Sequence, residues 1–399
     1  MKKGKDLQEW TEKENHSRRD FLKEGFAGAA GLGLAGMSRA VPANAGQRAS
    51  AGESRGWKID AFCHILPAKY VDALRKRSKA PLGVFLIGKY GMSPQPAMVD
   101  VEARLRIMDR YEGYVQILDT SLPPPEDSLG PQDAVELAQI ANDSVAELVY
   151  KYPDRFIAGI ACLPLNDMAA AMKELDRCIK ELKFKGVQIT TTIMDKPLDS
   201  PEFQPLFAKM NEYNLPIQMH PRTMKGGVRF LEEAGVPSDL VGFWAQTPFN
   251  WPFETTIAMG RLIFSGMLDK YPNLKILTHH LGGFVPYHIE RVTYFLQGAE
   301  MRFGVDLMPK VNLTKPYADY YKMFYADTAC YGAVPTLMCG YSFFGADHMI
   351  FGTDLPYDSQ GGARLVPETI RSIEEMDIPA GDRKKIFEDN ARKLFRLPI

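Results

Sequence analysis

Short runs rich in Val, Ile, Leu and Met alternate with longer amphipathic stretches about eight times along residues 57–399. The runs read as strands Trp57–Phe62, Tyr114–Leu118, Phe156–Ala161, Gly186–Ile189, Pro216–His220 and Leu274–Thr278, a run ending at Tyr325-Ala326-Asp327, and Met349–Phe351. Helical stretches fall between them, among them Asp133–Lys151, Asp167–Leu182, Glu202–Tyr213 and Glu254–Lys270. Strand, helix, strand at this spacing implies parallel pairing. Eight such units favour a closed (β/α)8 barrel over an open doubly wound sheet. No G-x-G-x-x-G follows the first strand, so a nicotinamide-dependent oxidoreductase lacks its phosphate-binding loop.

Two stretches interrupt the rhythm. Residues 68–100 combine a basic helical piece with a Pro/Gly-rich segment and read as a small insertion after the first strand. Arg222 to Phe253 is rich in Gly, Pro and aromatics, and a loop of that length reads as a lid or binding surface. The net charge of −1 leaves no basic excess for nucleic acid and no polybasic patch for a membrane. The five cysteines form no C-x-x-C pair and read as small buried apolar residues, not as a disulfide framework.

The first 45 residues read as an address. Ser17-Arg18-Arg19-Asp20-Phe21-Leu22-Lys23 fits the twin-arginine pattern S-R-R-x-F-L-K. Gly25–Met37 is a weakly hydrophobic run, too short to span a bilayer, and Ala43-Asn44-Ala45 is a small-residue cleavage site. Residues 46–56 then form a linker and 57–399 the catalytic domain. The expectation is a bacterial protein exported folded by the twin-arginine machinery to the periplasm or beyond, with no membrane anchor once the signal is cut.

Acid-base and metal-type residues recur at the ends of these strands. His64 closes the first, His220 the fifth, His279-His280 the sixth, and Asp354 follows the last in Gly-Thr-Asp-Leu-Pro. A parallel barrel brings such residues together at one mouth, and three nitrogen or oxygen ligands converging there would be a metal site. Phe62 and His64, two apart on a strand, share a face pointing into the mouth, while Cys63 points away. By the same alternation only one of His279 and His280 can enter. His280, beside Gly282-Gly283, is the better acid-base candidate, and His279, His288 and His348 are read as structural.

In these residues the chain resembles the amidohydrolase-related family, in the branch containing aminocarboxymuconate semialdehyde and resorcylate-type decarboxylases. The resemblance rests on several segments. They are Asp60-Ala61-Phe62-Cys63-His64-Ile65-Leu66-Pro67, Lys185-Gly186-Val187-Gln188-Ile189, Leu198-Asp199-Ser200-Pro201, His220-Pro221, Trp251-Pro252-Phe253-Glu254-Thr255, His280-Leu281-Gly282-Gly283 and Gly352-Thr353-Asp354-Leu355-Pro356. It implies a distorted (β/α)8 TIM barrel, with His64, His220 and Asp354 ligating a divalent metal, usually zinc. It also implies His280 and Asp354 as catalytic residues, Arg291 as the grip on a substrate carboxylate, and a homodimer. One departure stands out: Phe62 replaces the first histidine of the family's H-x-H and cannot ligate, which weakens the site. The leading expectation is decarboxylation of a small aromatic or unsaturated carboxylic acid. Hydrolysis of a lactone or amide is the alternative, and a catalytically inactive periplasmic binding protein is the reading from another class.

Overall fold

The computed structural model describes residues 56–77, 95–120, 124–222, 246–297 and 313–398, all within the unit Arg55–Ile399. The expected signal peptide lies outside these residues, as do most of the linker, the segment 78–94 and residues 223–245 of the proposed lid.

Eight parallel strands supply the frame: β1 Lys58–Ile65, β2 Tyr114–Thr120, β3 Phe156–Gly159, β4 Val187–Thr190, β5 Pro216–His220, β6 Lys275–Thr278, β7 Tyr325–Asp327 and β8 Met349–Ile350. They form a three-stranded arc β1-β2-β3 and a five-stranded arc β8-β7-β6-β5-β4. Single parallel bridges join the arcs, Ala161 to Val187 on one side and Cys63 to Leu355 on the other. The second seam is reinforced by amide bonds from Ala61 to the Phe351 carbonyl (2.9 Å) and from Asp354 to the Phe62 carbonyl (2.8 Å). The sheet therefore closes on itself, and a distorted (β/α)8 barrel results.

Helices follow the strands: α1 Ala68–Arg77, α2 Val101–Met108, α3 Pro131–Lys151, α4 Met168–Lys180, α5 Gln204–Tyr213, α6 Trp251–Phe264, α7 Val285–Gln297, α8 Val334–Phe344 and α9 Leu365–Glu374. In α4 the buried residues Ala171, Glu174, Leu175 and Cys178 recur at helical spacing, and Asp167 caps the first turn by accepting from the Ala170 amide at 3.0 Å. The stretch read as one helix from Glu254 to Lys270 starts earlier, at Trp251, and breaks at Gly266, whose φ of +74° only glycine adopts freely.

Ile59, Ala61, Val115, Ile117, Ala158, Ile160, Leu277 and Ile350 meet across the barrel, with Leu394 and Phe395 packed against them and Trp57 and Leu397 partly buried at the rim. This plug fills the end where the strands begin, so the opposite end is left for chemistry. The inserted α1 packs on α3 through Tyr70, Leu74, Leu137 and Ile140. All five cysteines are free, but only Cys63 and Cys178 are buried; Cys162, Cys330 and Cys339 are half-buried, so the buried reading holds for two of them. Among the described residues no helix is long and apolar enough to cross a membrane.

Candidate active site

Strand register sets the first contact. His64 lies opposite Asp119 on β2, and Thr190 lies opposite His220 on β5. His64 Nδ1 meets Asp119 Oδ1 at 2.8 Å and His64 Nε2 meets Asp354 Oδ1 at 3.3 Å, with all three residues buried. Burial alone would lower the His64 pKa, but Asp119 and Asp354 raise it to about 10. Asp354 is held below the usual carboxylate range against its own burial, chiefly by the His64 hydrogen bond. Gln188 Nε2 donates to Asp119 Oδ2 at 2.5 Å, and the Tyr331 hydroxyl donates to Asp354 Oδ2 at 3.1 Å. The backbone of His64 is pinned from below. Its carbonyl accepts from the guanidinium of the fully buried Arg104, which also holds the Ala97 carbonyl and Gln116 Oε1 at 2.9 Å each.

Phe62 sits at the centre. Its ring lies 4.7 Å from that of His64, 5.7 Å from His220, 5.5 Å from His280, and stacks on His279 at 3.6 Å with the planes 11° apart. Phe62 and His64 thus share the mouth as the strand alternation requires. A register shift between Asp60 and Cys63 places the preceding residues differently.

The two-histidine expectation is corrected. Both His279 and His280 face the cluster, because β6 ends at Thr278 and strand alternation ends with it. His280 and Leu281 take φ of 51° and 57°, and Gly282 and Gly283 continue at 75° and 64°. His279 is not a passive packing residue. Its Nδ1 bonds Asp327 Oδ2 at 2.9 Å, while Asp327 Oδ1 accepts from the amides of Leu281 and Ala329 at 3.3 and 3.0 Å. Burial raises the Asp327 pKa to about 6 and drives that of His279 well below its usual value. His280 lies between near-parallel rings of Trp251 and Tyr331, each 6.2 Å away. The Nε2 atoms of His279 and His280 are enclosed without a hydrogen-bond partner among the described residues.

The donors suit a divalent cation by kind. Two donors about 2.1 Å from one ion at near-tetrahedral or octahedral angles stand roughly 3.0–3.4 Å apart, and the His64–Asp354 contact falls in that range. His220 Nδ1 bonds the Pro221 carbonyl at 2.6 Å, which fixes the tautomer that leaves Nε2 as a lone pair. Its ring is 5.1 Å from that of His64. His64, Asp354 and His220 are therefore neighbours, while among the described residues no three of His, Cys, Asp or Glu are already gathered round one point.

Arg291 is not brought to this cluster. It is exposed on α7, its guanidinium 4.9 Å over the Phe295 ring, and among the described residues none of the contacts joining the mouth includes it. His348 bonds the Phe324 carbonyl at 3.0 Å and stacks on Tyr325, and His288 packs against Tyr287, both apart from the mouth. Asp119, Asp327, Gln188, Tyr331 and Trp251 were missed by the sequence reading. For the two aspartates a signal existed, since each is a carboxylate ending an apolar strand, as Asp354 follows one.

The amidohydrolase family model matches residues 59–397. A gamma-resorcylate decarboxylase from Rhizobium sp. is 30% identical over 324 residues, covering 78% of this chain and 92% of the relative. Among solved structures, 5-carboxyvanillate decarboxylase from Sphingomonas paucimobilis superimposes with a TM-score of 0.72 at 25% identity, covering 86% of this chain and 99% of that one. A dihydroxybenzoic acid decarboxylase from Polaromonas sp., solved with bound manganese and the inhibitor 2-nitroresorcinol, gives a TM-score of 0.69 at 27% identity, covering 86% and 97%. The closed barrel, the donors at its mouth and these likenesses agree, and the chain belongs to the amidohydrolase family, in its decarboxylase branch.

Proposed function

We propose that this protein is an exported carboxy-lyase that removes the carboxyl group of a small hydroxylated aromatic acid with the help of a divalent metal ion. One observation carries the reading: His64 and Asp354 lie buried 3.3 Å apart at the barrel mouth beside His220, with His280 near-parallel to two aromatic rings. The relatives support the reaction, being decarboxylases by name, and one of them holds manganese. The twin-arginine pattern Ser17–Lys23 and the Ala43-Asn44-Ala45 site support export.

His64, His220 and Asp354 would hold the ion. Bound there, it would supply positive charge to stabilise the negative charge that develops on a substrate oxygen. The chain's own groups do the rest. The Phe62 ring offers an apolar wall to an aromatic substrate and keeps water from the centre. Trp251 and Tyr331 fix the His280 ring, whose enclosed Nε2 is placed to deliver a proton to the ring carbon bearing the carboxylate. The carbon–carbon bond then breaks, its electron pair restores the aromatic ring, and carbon dioxide leaves. Tyr331 orients Asp354 through its hydroxyl, which donates to Oδ2.

The test combines metal content with carbon dioxide release from a panel of hydroxybenzoic acids, on wild type, Phe62→His and His280→Gln. Wild type should release carbon dioxide from at least one acid and lose the activity on chelation. His280→Gln should be slower by about 10²-fold or more while still binding the acid. Phe62→His, which adds a nitrogen donor, should retain metal through dialysis better than wild type. Cleavage of a lactone or amide with no carbon dioxide from any acid would make the protein a hydrolase. Tight retention of an acid by metal-free protein without turnover would make it a binding protein.

A further inference from the structure

On the β2–β4 side of the mouth lies a cavity lined by Thr120, Glu126, Cys162, Leu163, Gln188 and Thr190, among others, with about 20 Å³ of room for the centre of a water-sized group. That is space for one water or one hydroxyl-sized substituent. Two of its walls carry orphans. Thr120 Oγ1 and Glu126 Oε2 are buried without a hydrogen-bond partner among the described residues, and their residues are only 5% and 7% exposed. A buried polar group left unmet costs folding free energy until a partner arrives.

The cavity is wired to the site already described. Gln188, one of its walls, donates to Asp119 at 2.5 Å, and Asp119 meets His64 at 2.8 Å. Its chemistry selects the guest. Burial, with some help from Asp127, pushes the Glu126 pKa up to about 8, against the pull of backbone donors and Arg222, so near neutrality it is mostly an uncharged acid. An uncharged carboxyl and a hydroxyl each donate and accept. Asp119 is paired with His64 and Asp127 with Arg222, so these charges are already matched and none is left over to hold an anionic guest. An uncharged group that both donates and accepts, a hydroxyl, fits this set.

We propose that this cavity is the subsite for a hydroxyl substituent of the aromatic acid, held by Thr120 and Glu126. The inference rests on the carboxy-lyase reading and names the feature of the substrate that the mouth selects.

The test measures binding by calorimetry, with carbon dioxide release in parallel, for hydroxybenzoic acids and their hydroxyl-free counterparts. Wild type should bind a hydroxylated acid at least about ten-fold tighter than its counterpart. Thr120→Val and Glu126→Met should each shrink that ratio by about five-fold or more and leave affinity for the counterpart within about two-fold. Glu126→Gln, which keeps a donor and an acceptor, should restore most of the discrimination. Urea melts check that each variant folds. Ratios unchanged in both Thr120→Val and Glu126→Met, with carbon dioxide still released, would show that the cavity holds water only and would sink the subsite alone. Failure of every acid to bind any of these proteins would sink the carboxy-lyase reading and the subsite with it.

Discussion

Asp60 is fully buried on β1, and both its oxygens are engaged. Oδ2 accepts from the hydroxyls of Tyr114 (2.5 Å) and Thr353 (2.6 Å), and Oδ1 from the amides of Thr353 (3.0 Å) and Phe62 (3.2 Å). Burial nevertheless raises its pKa to about 6 from 3.8, because four donors do not replace the lost water. The folded value lies above the unfolded one, so the folded state binds the proton more tightly. The contribution to stability is full below about pH 4 and is lost as pH rises through about 6. Two units correspond to about 3 kcal/mol. The unfolding free energy of wild type minus that of Asp60→Asn should therefore fall by roughly this amount between pH 4 and pH 7 in urea titrations. Parallel pH profiles for the two proteins would show that the carboxyl is unperturbed. At this scale the sequence made His64, His220, His280 and Asp354 visible, because each stands in a strand-end motif. Asp119 and Asp327 end apolar strands too, but which partner each of them meets is set across strands, and no single stretch of sequence contains that.

The turn after β6 is the element on which the site's geometry most depends. It carries His279 and His280 out of the strand through left-handed φ values at His280, Leu281, Gly282 and Gly283. Gly283 (φ +64°) permits a close approach: a Cβ there would stand 2.3 Å from the Pro252 carbonyl oxygen at the start of α6. That same first turn bears Trp251, the ring beside His280. Gly345 has a similar φ of +73° but open space around its Cβ position. Alanine at Gly345, whose ψ is 164°, should cost only backbone strain, about 1–3 kcal/mol. Alanine at Gly283 adds a collision with backbone and should cost at least about 2 kcal/mol more, with a fall in turnover as Trp251 shifts. Equal losses in thermal and urea melts would mean that the turn and α6 adapt freely. Most elements were legible from periodicity, including β5 and α3 nearly to the residue. The geometry of this turn was not, because alternation predicts side-chain direction only while the strand lasts. The two-residue β8 was read from the apolar run Met349–Phe351 and the Gly-Thr-Asp-Leu-Pro that follows it, since so short a run has no period of its own.

For the molecule as a whole, the surface near the mouth suggests how many chains make the working unit. Phe249, Phe253 and Ile257 recur every four residues into α6 and are 67%, 52% and 46% exposed, and Tyr287 on the adjoining α7 is 79% exposed. The two helices meet where the Phe284 amide donates to Thr256 Oγ1 at 2.9 Å, so their exposed apolar residues belong to one region. Several large apolar side chains exposed in one region mark a candidate interaction surface. A homodimer is the proposal, with isologous pairing placing the same face on both copies. Arg291 lies on α7 with Tyr287 and is exposed, out of contact with the mouth among the described residues. We propose that its grip on a substrate carboxylate is supplied to the partner's mouth. Light scattering should give a dimer for wild type and a monomer for the double variant Phe253→Glu, Tyr287→Glu. Arg291→Ala should stay dimeric, with KM for the acid raised about ten-fold or more through loss of a charge-assisted contact. Mixing Arg291→Ala with His280→Gln under exchange should then restore activity, because one mouth of each hybrid dimer keeps its own His280 and receives the intact arginine from the other copy. No recovery in verified hybrids would place Arg291 outside the site altogether, and a monomeric wild type would remove the dimer with it.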